Sequence, residues 1–181
     1  ALLMKLNIKL ACELVPTGTW GANLRSLLPP SGWNRLRRWS YAQADNKCEI
    51  CDSSGLEQGR TYPVECHEVW AYDDVSHTQT LIGVQSLCPQ CHMCKHYGRS
   101  LKVGAAQKIR KHMKEVNDWG DASLAIYEDT MFTIHSLRSR FRWSVSIEDK
   151  LREYLDAGVL KEKDFDKALA KLAGGYYGEV K

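Results

Sequence analysis

Four cysteines stand in two matched pairs, Cys48-x-x-Cys51 and Cys88-x-x-Cys91. Two residues between thiolates let one tight turn present both sulfurs to a single ion, and two such turns complete the tetrahedral set that Zn²⁺ accepts. A closed four-thiolate site leaves no coordination position for a substrate, so the two motifs predict a structural zinc that couples metal binding to folding. Between the pairs lies "ECHEVW", with Glu65, Cys66, His67 and Glu68, and beyond it "CPQCHMCKH", with His92 and His96. His92 and His96 are four apart, so on a helix they project from one face and can grip one cation. Cys66 or Glu65 would supply a further ligand from a facing strand. His67, beside such an ion, is suited to activate water as general base while the cation stabilises charge on a phosphate and its leaving oxygen. That combination is the chemistry of metal-assisted phosphodiester cleavage.

The elements that must position these groups are readable nearby. "RTYPVECHEVWAYDD" and "HTQTLIGVQSLC" are rich in Val, Thr, Tyr and Trp and predict the two strands of a hairpin, with Asp73 and Asp74 as turn residues. "PQCHMCKHYGR" predicts a helix, Pro89 suiting its start and Gly98 its end. Upstream, "ALLMKLNIKL" reads as a short strand, "PTGTWGANLRSLLPPSG" as punctuated turns, and "WNRLRRWSYAQA" as a helix with Trp33, Leu36 and Ser40 on one face and Arg35 and Arg38 pointing elsewhere. Beyond Gly104, "AAQKIRKHMKEVNDW", "DASLAIYEDTMFTIHSLRSRF", "SIEDKLREYLDAG" and "DFDKALAKLAG" carry three-to-four-residue apolar spacing and predict helices, and "GGYYGEVK" reads as a frayed tail. The fold class expected is α+β: an N-terminal strand-and-helix segment over residues 1–44, a zinc-stapled core over 45–103, and a helical C-terminal extension over 104–181.

Composition sets looser bounds. The 181 residues are 44% hydrophobic and 26% charged with a net charge of +3, enough to bury one core and mildly receptive to an anionic partner. No apolar run approaches the roughly 18–20 residues that span a bilayer. Lys5 and Lys9 interrupt the greasy N-terminal segment, so no membrane association and a cytoplasmic location are expected. In such a reducing compartment seven cysteines, an odd number, are better explained by metal than by disulfides. Cys94 falls on another helical face from the two histidines and, like Cys12, reads as a core residue. Glu65 and Glu68 are either carboxylates that orient a histidine or solvated strand residues. His77, His112 and His135 have no partner identifiable from spacing and receive no role.

At "CEIC", "ECHEVW" and "LCPQCHMCKH" the chain resembles the HNH nucleases, whose ββα-metal core is a two-stranded hairpin followed by a helix, often stapled by two CxxC pairs. The resemblance covers about Cys48 to Arg99. It is similar in particular to a bacterial and phage group described as HNH endonuclease-like proteins, which "ELVPTGTWGANLRSLLP" also resembles in its N-terminal segment. The resemblance implies His67 as general base, Cys66 as the residue before it that binds the catalytic metal, His92 as the helix histidine after CxxC, and His96 as an extra helix ligand. Two positions depart from the family. Cys66 replaces an Asp or His, a change toward a soft ligand that favours Zn²⁺ over Mg²⁺. Gly83 stands where the family has an Asn that braces the catalytic histidine, so Gln79 or Gln85 would have to substitute.

The resemblance thus implies a metal-dependent endonuclease, acting on nucleic acid and on double-stranded DNA in particular, with structural Zn²⁺ and a catalytic Mg²⁺, Mn²⁺, Ni²⁺ or Zn²⁺. Cations along the phosphate path would be drawn from Arg35, Arg37 and Arg38, from Lys95 and Arg99, from Lys108, Arg110 and Lys111, or from Arg138, Arg140 and Arg142 beside Phe141 and Trp143. Lys95 and Arg99 are preferred because they belong to the motif helix. No element for reading base sequence is apparent. The competing expectation is a noncatalytic zinc-binding adaptor or inhibitor. In it Cys66, His67, His92 and His96 form a second closed site, and the chain binds nucleic acid or docks on a host protein through its C-terminal helices.

Overall fold

The computed structural model describes residues 6–175. The chain condenses into two units, each assembled from separated stretches: one takes the segment ending at Leu14 together with Asn46–Glu65 and Ser86–Leu137, the other takes Val15–Asp45, Cys66–Gln85 and the segment beginning at Arg138.

In the first unit the two CxxC turns carry the core. Helix α3 (Pro89–Lys95) starts with Pro89 at its first position, and the Cys88 sulfur accepts the Cys91 backbone N–H across that turn, satisfying a donor that a helix start would leave orphaned. The expected helix end at Gly98 is displaced. The backbone leaves helical geometry at His96 (φ −86°, ψ 47°), and a separate helix α4 (Tyr97–Lys102) follows, with Gly98 inside it. α5 (Ala106–Asn117) and α6 (Asp121–Arg138) match their apolar spacing. Ile109 and Met113 of α5 and Leu124 and Tyr127 of α6 pack with Leu10, Leu87, Tyr97 and five buried cysteines into one apolar cluster. The expected N-terminal strand is not formed over residues 6–10, and residues 1–5 lie outside the described residues, as does most of the "GGYYGEVK" tail. Leu10 is buried instead through Asn117, whose Oδ1 accepts the Lys9 and Leu10 N–H groups and whose Nδ2 donates to the Leu10 carbonyl. Three hydrogen bonds to one side chain give this segment the satisfaction a sheet would have supplied.

The second unit is built on strands and helices. Strands β1 (Glu65–Asp73) and β2 (Thr78–Leu87) form the expected hairpin. Asp73 Oδ1 accepts the Val75 and Ser76 N–H groups at its turn. A third strand that the sequence did not suggest, β3 (Ser144–Ser146), pairs with β2 in parallel, with Thr78 opposite Ser144 and Thr80 opposite Ser146, giving a mixed sheet in the order β1-β2-β3. Helices α1 (Leu24–Leu27), α2 (Pro30–Gln43), α7 (Glu148–Asp156) and α8 (Glu162–Ala173) surround Trp70 and Leu81 with Leu24, Leu27, Leu36, Leu151, Tyr154, Phe165 and Ala168. The apolar faces of α7 and α8 are therefore spent inside this core.

Arg35, expected off the face of Trp33, Leu36 and Ser40, is half-buried and forms an ion pair with Asp164. The Asp164 side chain is fully buried and also accepts the Lys161 N–H at the start of α8 at 2.9 Å. Gly32 makes this possible, because a Cβ there would lie 2.9 Å from the Asp164 carboxyl carbon. Removing one partner of a buried pair strands the other charge, so Arg35→Ala is expected to destabilise the protein by about 3–5 kcal/mol, read as a lower urea midpoint at unchanged slope.

Candidate metal centres

The sulfurs of Cys48, Cys51, Cys88 and Cys91 lie within 4.8 Å of one another, with Cys51 3.6 Å from both Cys88 and Cys91. Four sulfurs about 2.3 Å from a tetrahedral Zn²⁺ would be separated by roughly 3.8 Å, so the spacing fits that ion. Local backbone explains how the chain reaches this arrangement. Asp52 takes a left-handed conformation (φ 60°). The turn is closed by Asp52 N–H to the Cys48 carbonyl at 2.9 Å and Cys48 N–H to the Ser53 carbonyl at 3.0 Å. Four thiols so close share their protons unequally: donation from Cys48 draws Cys51 down to about 6, while the neighbouring sulfurs push Cys91 upward. The cluster can therefore hold a metal such as zinc.

A second gathering involves histidines. His92 and His96 come together in the first unit, and His67 is buried on β1 in the second. His92 Nε2 and His96 Nε2 are 3.0 Å apart, as two nitrogens converging on one ion would be. The other ring nitrogen of His92, Nδ1, hydrogen-bonds Glu65 Oε2, and Glu65 Oε1 accepts the Tyr62 hydroxyl at 2.6 Å. This is the carboxylate–histidine arrangement that fixes a ligand's tautomer, leaving the Nε2 lone pair for metal. His92 holds the Glu65 carboxyl below the usual carboxylate range; partial burial opposes this, and Tyr62 adds to it. The loop before β1 is anchored at Gly55, which donates to the Pro63 carbonyl at 2.6 Å and where a Cβ would lie 2.3 Å from the Tyr62 carbonyl oxygen. Only glycine permits that approach.

Cys66, expected as a ligand of the second ion, does not share the strand face of Glu65, the partner of His92. Strand alternation explains why: residues 65 and 67 share one face of β1 and residues 66, 68, 70 and 72 the other. The second face meets the apolar core. Trp70 is buried there, Glu68 accepts the Leu24 N–H at 2.5 Å to cap α1, and Cys66 lies near Tyr154, whose hydroxyl is pushed up to about 12 by burial and, to a lesser extent, by that thiol. Glu65, left undecided from sequence, takes the position beside His92. Gly83 lies 3.6 Å by its would-be Cβ from the Tyr154 hydroxyl, and Gln79 accepts the Thr19 hydroxyl at 2.7 Å. Glu65→Gln is expected to weaken divalent-ion binding about 10–100-fold, measured by calorimetry with Mn²⁺ on zinc-loaded protein.

The basic candidates divide. Arg35 and Arg110 are paired with Asp164 and Glu128. Arg138 holds Asp74 through two contacts of 2.7 and 2.9 Å and lies over the Tyr72 ring. Arg37 donates to Asn34, and Lys111 sits 3.8 Å from Glu115. Arg38, Arg99, Lys108, Arg140 and Arg142 are exposed and Lys95 is half-buried. His77 stacks on Phe141 with centroids 4.1 Å apart. Cys12 and Cys94 are core residues as expected. His112, given no role from sequence, lies with its Nε2 3.2 Å from the Cys91 sulfur; a histidine set in the apolar stripe of Ile109 and Met113 was the available signal. Among the described residues no helix is long and apolar enough to cross a membrane. No protein-family model, curated protein or solved structure matches this chain.

Proposed function

We propose that this protein is a metal-dependent phosphodiesterase of the HNH type that hydrolyses nucleic acid, with double-stranded DNA as its substrate. The observation that carries the reading is the pair His92 and His96, their Nε2 atoms 3.0 Å apart, with Glu65 orienting His92. A divalent ion bound by His92 and His96 would supply charge stabilisation to the scissile phosphate and its leaving oxygen. His67, buried on the same strand face as Glu65, takes a proton from the attacking water. Exposed Arg99 and the adjacent Lys95 contribute sequence-independent attraction for the backbone. The four-cysteine cluster fixes the start of the helix that bears His92 and so holds the ligand set in register. The structural ion is zinc in this proposal, and the catalytic one is Mg²⁺, Mn²⁺, Ni²⁺ or Zn²⁺.

A second reading has its own support in the same pair: two converging imidazoles braced by a carboxylate also suit a closed structural site in an adaptor that binds without cutting. Titrating each of the four ions against supercoiled plasmid separates the two. The nuclease nicks with at least one of them, whereas the adaptor is silent with all.

A further inference from the structure

The tetrathiolate centre presents an electrostatic problem that the four cysteines do not solve alone. Four thiolates around one Zn²⁺ carry a net charge of −2, and Cys48, Cys88 and Cys91 are each 0% exposed within a cluster of Leu10, Leu87, Ile109 and Met113. Excess charge in apolar surroundings is costly unless hydrogen-bond donors reach it. Some do: the Cys91 backbone N–H reaches the Cys88 sulfur at 3.4 Å, and the Ser53 hydroxyl lies 3.1 Å from the Cys51 sulfur. For Cys91, a hydrogen bond from outside the four cysteines comes from His112, buried on α5, with Nε2 3.2 Å from Sγ. A thiolate can only accept, so this nitrogen carries the proton.

We propose that His112 is a positioning residue of the zinc centre: its Nε2–H donates to the Cys91 thiolate, offsetting the surplus negative charge and holding the sulfur toward the ion. The inference rests on the zinc reading above. It makes α5, which carries none of the four thiolates, part of the metal site, and it explains a histidine in an otherwise apolar stripe. Donors that orient ligands in this way govern how long a metal is retained as well as how tightly it binds.

The test uses the full chain loaded with Zn²⁺ or Co²⁺ and two replacements, His112→Met, which fills the space without a donor, and His112→Gln, which restores an N–H. Zinc release to a colorimetric chelator is expected to be about tenfold faster in the methionine variant, and the cobalt sulfur-to-metal charge-transfer band to move to lower energy because the thiolate is richer in electrons. Glutamine should bring both back toward wild type. If methionine and glutamine behave alike, whether both match wild type or both release faster with an unmoved band, the side chain only packs and the proposal is overturned. If the wild-type chain binds neither ion through sulfur, the zinc reading fails first and takes this inference with it.

Discussion

Replacing His67 by alanine is expected to slow plasmid nicking by about 10²–10⁴-fold, the usual contribution of a positioned general base, while zinc content and melting temperature stay unchanged. β1 places His67 on the same face as Glu65, two residues along, and Glu65 is the group that orients His92. A base must lie within hydrogen-bond reach of the water it deprotonates, either directly or through one further water, and the role proposed for His67 holds it to that condition. Mn²⁺ binding measured on the same variant distinguishes base from ligand. Retained binding with lost cleavage assigns His67 to proton transfer, and loss of both assigns it to coordination. Unchanged nicking would end the nuclease assignment for this residue.

The second large effect concerns the thiolate centre. Cys88→Ser, or prolonged treatment with a strong chelator, is expected to abolish the cooperative folding of the unit containing α3, α5 and α6. Structural zinc sites contribute apparent binding energies of about 10–16 kcal/mol, as large as the roughly 5–15 kcal/mol that holds a whole domain together. Cys88 has three roles, as a sulfur of the four-cysteine cluster, as N-cap of α3 and as a buried member of the apolar core. Cys94→Ser is the control. Its sulfur is buried against the Ile109 carbonyl at 3.5 Å and belongs to no metal cluster, so a cost of about 1–3 kcal/mol with full zinc content is expected. Thermal melts with parallel metal analysis compare the two. Equal melting of zinc-free and zinc-loaded protein would remove the structural role.

How much of this was legible in the sequence follows from how local each signal is. The CxxC pairs could be read because two residues of spacing dictate one turn, and the His92–His96 pair because four residues make one helical step. The hairpin followed from its residue types and turn. What escaped depended on contacts distant in the chain. Strand β3 is three residues long and owes its pairing to β2 rather than to any pattern of its own. The apolar N-terminal run looked like a strand, but its burial is secured by Asn117, 107 residues further on. Cys66 was favoured as a ligand from the resemblance, although alternation along β1 already ruled that its face differs from that of His67. Arg35 read as a surface cation because its partner, Asp164, lies 129 residues away.

The two-residue periodicity of β1 leaves the strand intolerant of insertion or deletion just upstream of His67. Losing a single residue between Pro63 and His67 would rotate every later side chain to the opposite face, pressing an imidazole and a carboxylate into apolar packing and turning Trp70 to water. Length variation in relatives or engineered versions should therefore concentrate in the exposed loop between Gly55 and Tyr62 or at the hairpin tip, and any change nearer the strand should come in steps of two.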